Sequence, residues 1–170
     1  MSAISADHPG INHVEITTIF FVAIALGIGL IVVLLGEFGN MPYSYPEEGS
    51  VQFAAGEQQE HYTTFLAISV IEFAIVLAPL IGAVTGVLGV RELGEEYQSL
   101  PFVAAGAVFG GFLVVLLVGL LAQTGISEDF VGMGGPVGID VDGYIVNSLI
   151  GGVATGLTSL LTAVGAIRLE

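Results

Sequence analysis

The chain contains no cysteine, no tryptophan and no lysine, and its only bases are Arg91 and Arg168. Without cysteine, disulfides, zinc–thiolate sites and thiol catalysis are excluded. So few bases argue against nucleic acid or anionic lipid as a partner, because both are bound chiefly through Lys and Arg. Charge is scarce altogether: 11% of the 170 residues are charged and 54% are hydrophobic. Soluble domains carry about 25% charged residues, so this chain has too little polar surface to remain in water.

What the chain does have is apolar length. Four stretches, 16–36, 65–90, 102–122 and 144–167, each reach the roughly 20 apolar residues that cross a hydrocarbon core. The expected fold class is all-α, an integral membrane four-helix bundle forming a single membrane domain over 1–170. The expected loops are 37–64, 91–101 and 123–143. No Lys or Arg precedes the first stretch, and its apolar run exceeds the roughly 7–15 residues of a signal-peptide core, so it reads as a retained helix.

Four spans put the N-terminus, the Arg91 turn and the C-terminus on one side, and the positive-inside tendency makes that side cytoplasmic in the cell membrane. The opposite side collects Glu37, Glu47, Glu48, Glu57, Glu60, Glu128, Asp129, Asp140 and Asp142 and no base. A surface of one sign can gather cations; it also keeps a protein hydrated in concentrated salt, and the second reading is preferred. In this acid-rich, lysine-free and cysteine-free profile, and in its size and four-span layout, the chain resembles small membrane proteins of extremely halophilic archaea. The resemblance is one of composition and layout and carries no functional residue with it.

Segments echo one another between the halves. "IVVLLG" at 31–36 returns as "LVVLLVG" at 113–119, and "LIGAVTG" at 80–86 as "LIGGVATG" at 149–156. The order is the same in both, which suggests two tandem helical hairpins related by an axis along the membrane normal.

In lipid, helices associate through close backbone approach at small residues and through interhelical hydrogen bonds. The pairs Gly82 and Gly86, Gly106 and Gly110, and Gly152 and Gly156 are therefore assigned to helix packing. Ser148, Gly152, Thr155, Ser159, Thr162 and Ala166 draw one small, hydroxyl-bearing seam down the fourth span, and Thr18, Ala25, Gly29 and Gly36 a sparser one down the first. Such a seam can line a wet path, but Ser and Thr also satisfy themselves on carbonyls of the preceding turn, and packing is the favoured reading.

Glu72 interrupts the second span. Counted at about 100° per residue, it lies roughly 20° from Pro79, 40° from Gly86 and 80° from Gly82, so its carboxylate is expected to point toward the bundle. It also sits close enough to one end of the span to lie near the interface. Pro79 frees a carbonyl one turn earlier, near Ile75. Glu72, Pro79, Thr155 and Ser159 thus make up the candidate transport or ion site.

Sharper chemistry lacks its residues. His8, His13 and His61 are placed outside the spans and read as surface histidines, so no helix supplies the axial ligand pair of a membrane haem. Motifs for zinc hydrolysis, serine nucleophiles and phosphate loops are missing. "DVDG" at 140–143 lacks the rest of a calcium loop and reads as a turn before the fourth helix. No catalytic residue, metal or cofactor is assigned. The preferred function is a non-catalytic membrane protein with a structural or accessory role, its partners being the lipid bilayer and either further copies of itself or other membrane subunits. The alternative is a small transporter or ion channel built on Glu72 and the polar face of the fourth helix.

Overall fold

The computed structural model describes residues 9–38, 55–93, 97–125, 131–132, 135–136 and 141–169. The order is α1 (Pro9–Phe38), α2 (Ala55–Leu93), a 3₁₀ turn (Tyr97–Ser99), α3 (Leu100–Ala122), a second 3₁₀ turn (Gln123–Gly125) and α4 (Val141–Leu169). A two-rung antiparallel pair, Val131–Gly132 with Gly135–Pro136, stands between α3 and α4. All four helices contain a segment long and apolar enough to cross a membrane: Asn12–Leu35, Tyr62–Leu93, Tyr97–Ala122 and Asp142–Leu169. The chain is a multi-span membrane bundle.

Local chemistry sets the helix ends. Proline opens α1 at Pro9 and lies in the first turn of α3 at Pro101, positions where a missing N–H costs nothing. α2 begins at Ala55, well before the apolar run at Phe65, and so takes up part of the expected 37–64 loop. Residues 55–61 are mostly Ala, Gln and Glu, strong helix formers that continue a helix after hydropathy has ended. The last three residues of "DVDG", 141–143, likewise belong to the first turn of α4 and not to a turn before it, with Asp142 at the helix end that favours an acid.

Three layers fix the topology. Val90, Val103 and Ala163 cluster with Leu93, Leu100 and Ile167 at one end. Phe21, Ala25, Ala74, Ala78, Val114, Val115 and Val118 fill the middle, and Val32, Ala67 and Ala122 close the other end. The helices therefore run up, down, up, down, with Arg91 and Arg168 at the first end. α3 is the centre, packing most extensively against α1 and α4, while α2 packs chiefly on α4; α1 touches α2 lightly and is at most a glancing neighbour of α4. A two-fold along the normal would make the α1–α2 and α3–α4 contacts alike, and the two hairpins are instead packed unequally.

The interior is made of small residues and the exterior of large ones. Gly106, Ala107, Gly110, Gly111 and Gly119 are buried along α3. Outward, Phe65, Phe73, Val76, Leu80, Val84 and Leu88 stand exposed on α2, and Leu149, Val153, Leu157 and Leu161 on α4. This inversion suits lipid, which solvates large apolar side chains and leaves close approach to hold the helices together.

Candidate functional site

The four residues expected to form a polar site are not gathered by the fold. Thr155 is fully buried and donates its hydroxyl to Gly151 O at 2.6 Å. It lies against Gly82 of α2 and Gly111 of α3, at a junction of three helices. Ser159 lies one turn farther along, its carbonyl against Gly86; its Oγ is buried without a hydrogen-bond partner among the described residues. Pro79 is half-buried about one turn from Gly82.

Glu72, by contrast, is exposed on the outside of α2. That corrects the expectation that its carboxylate faces the bundle. The buried positions nearest to it are Ala67, Ala74 and Ala78, and Glu72 is two residues, or about 200°, from Ala74. Its orientation is set by this local seam: the buried positions Ala74, Ala78, Gly82 and Gly86 are spaced by four, so the seam drifts about 40° per step, and the face it occupies at Gly82 and Gly86 is not the face it occupies beside Glu72. Depth follows from the layers: Glu72 falls between Ala67, which packs with Ala122 at the end of α3, and Ala74 in the middle layer. Its carboxylate is thus within snorkelling reach of the polar boundary and about 15 Å along the axis from the level of Gly82 and Thr155.

The glycines of the expected packing pairs are all approached by neighbouring helices, Gly82, Gly86 and Gly152 by backbone and the other three first by side chains. A methyl group on Gly82 would lie 2.6 Å from Thr155 O, and one on Gly152 2.8 Å from Val108 O. Gly86 abuts Ser159 and Thr162, Gly156 abuts Val108, Gly110 abuts the Phe21 ring, and Gly106 is more loosely set, 3.2 Å from Thr17 Cβ. Three further hydroxyls of α4 turn back on their own helix: Ser148 donates to Tyr144 O, Thr158 to Ala154 O and Thr162 to Thr158 O, at 2.8–3.0 Å.

A polar cluster that the sequence did not reveal lies at the arginine end. His13 is not a surface residue outside the spans: it belongs to the Asn12–Leu35 segment and is 4% exposed. Its Nδ1 is 3.0 Å from Glu92 Oε2, and its Nε2 is 3.3 Å from Thr17 Oγ1, itself buried. Room for the ring comes from Gly89, where a methyl group would meet His13 Nε2 at 2.7 Å and Val103 Cγ2 at 2.9 Å. The pattern was present only in halves, His13 with Thr17 one turn apart on α1, and Gly89 with Glu92 one turn apart on α2. Nothing local joins them, because the pair is separated by 79 positions in the chain.

The cluster can do two things chemically. It holds a titratable ring between a carboxylate and a hydroxyl, and it links α1 to α2, which otherwise touch lightly. Comparison with protein-family models, with curated proteins and with solved structures finds no match for the chain.

Proposed function

We propose that the protein is a non-catalytic membrane bundle with a structural or accessory role, acting as a homo-oligomer or as a subunit of a larger membrane assembly. The observation that carries this reading is the fit of α2 on α4: Gly82 and Gly86 admit the backbone carbonyls of Thr155 and Ser159, together with the small side chains of Thr155 and Thr162, so closely that neither glycine leaves room for a side chain of its own. Helices joined in that way serve as a rigid scaffold, and the hydroxyls of Thr155, Thr158 and Thr162 are spent on carbonyls of their own helix, which leaves Ser159 as the seam hydroxyl without a partner among the described residues. Glu72 lies on the outer surface, away from that seam, which removes the acid on which a transport site would rest. The acid surplus supports a life in concentrated salt, and the two arginines support a cytoplasmic placement of both termini in the cell membrane.

The test is cation and proton flux in proteoliposomes carrying the wild type or Glu72→Gln. Both are expected to match protein-free vesicles, with equal thermal stability in detergent. Flux in the wild type that Glu72→Gln abolishes would establish the transporter instead.

A further inference from the structure

We propose that Glu72 and Asn147 form the polar centre of an interface between two copies of this chain, each carboxylate accepting a hydrogen bond from the carboxamide of the other copy. The inference rests on the homo-oligomeric form of the scaffold reading and names its surface.

Asn147 is polar where the fold presents an apolar face. It belongs to the segment Asp142–Leu169 and is exposed, while Ser148 beside it is fully buried. Five residues separate it from the start of that segment, about 7.5 Å along the axis, and so short a side chain does not reach the polar boundary from there. Glu72 is likewise exposed on α2. Neither is hydrogen-bonded to another of the described residues. The two bases of the chain, Arg91 and Arg168, stand at the opposite end of the bundle, so they cannot neutralise this carboxylate.

The two residues share a depth. α2 and α4 run parallel, since Gly82 meets Thr155 and Gly86, one turn on, meets Ser159. Followed back along both helices at that offset, Glu72 comes level with Ile145, and Asn147 stands two residues, about 3 Å, from it along the axis. α3 gives the same answer. Tyr144 lies over Gly119, and Gly119 falls between Ala122, grouped with Ala67, and Val118, grouped with Ala74.

Equal depth decides what a second copy can offer. A two-fold axis along the membrane normal leaves every residue at its own depth, and an isologous contact that sets Glu72 against Asn147 also sets Asn147 against Glu72. The pair is complementary in chemistry as well: a carboxylate only accepts and a carboxamide N–H donates, and a bond to an ionised acceptor is the stronger kind. In lipid, such interhelical bonds are among the forces that hold spans together. The exposed side chains of Phe73, Val76, Val146 and Ile150 flank the two groups and supply the apolar surround.

The test is energy transfer between full-length copies labelled at Gln98→Cys, the chain having no cysteine of its own, in phosphatidylcholine vesicles at graded protein-to-lipid ratios. The wild-type pair is expected to associate. Asn147→Leu removes the donor and Asn147→Glu sets carboxylate against carboxylate; each is expected to weaken association by about tenfold. Adding Glu72→Gln to Asn147→Glu puts a donor opposite an acceptor again and is expected to recover it. All of these changes fall on exposed positions, so melting in detergent is expected to match the wild type. Association that persists unchanged in both single variants, or fails to recover in the exchanged pair, would overturn this interface and leave the homo-oligomer standing. A monomeric wild type would overturn both.

Discussion

At the scale of single residues, the glycines separate into two kinds that composition cannot tell apart. Gly82 meets a carbonyl of the next helix where a methyl group would sit, whereas Gly27 and Gly165 have nothing within 4 Å of that position. A backbone atom cannot swing aside as a side chain can, so Gly82→Ala must part α2 from α4, and overpacking of this kind costs about 1–3 kcal/mol. Gly27→Ala and Gly165→Ala meet no neighbour and gain up to about 1 kcal/mol of helix propensity. Thermal or SDS unfolding in detergent is expected to rank the variants in that order, and a Gly82→Ala protein as stable as Gly27→Ala would remove the close approach. Residue identity was legible in the sequence and residue setting was not. Glu72 and His13 exchanged the places assigned to them because facing depends on the local seam, and partnership on a residue 79 positions away.

Among the elements, the existence of each helix was legible and its weight in the bundle was not. Hydropathy marks four spans of similar quality, yet α3 is buried on two sides and α1 packs mainly on one neighbour. The difference arises from small residues on more than one face of α3, which a single-stripe reading does not rank. α3 also receives the first turns of α4 through Tyr144, whose hydroxyl donates to Val115 O at 2.9 Å while its ring lies where a side chain on Gly119 would be. Removing the hydroxyl alone, in Tyr144→Phe, is expected to cost about 0.5–1.5 kcal/mol. Gly119→Ala forces the whole ring off its site and is expected to cost more. Paired unfolding measurements check the order; equal losses would mean that the hydrogen bond, and not the seat of the ring, joins these helices.

The molecule as a whole has two chemically distinct ends, and its orientation is the property that most directly follows from them. The layers of the bundle put Arg91, Arg168 and the His13 cluster at one end and the junction of Val32, Ala67 and Ala122 at the other. Translocation across a membrane selects against Lys and Arg in short segments near the spans, so the arginine end is expected to be cytoplasmic even with so few bases. Because the chain has no cysteine, single cysteines report without background. Gln98 and Thr124 are both exposed, the first just before α3 and the second just after it, so one helix carries the two probes to opposite sides. Thr124→Cys is expected to react with an impermeant thiol reagent on intact cells, and Gln98→Cys only after the membrane is opened. The reverse pattern would invert the protein while leaving the bundle intact. Labelling of both from outside would mean that α3 does not cross the membrane, and the up-and-down order itself would fail.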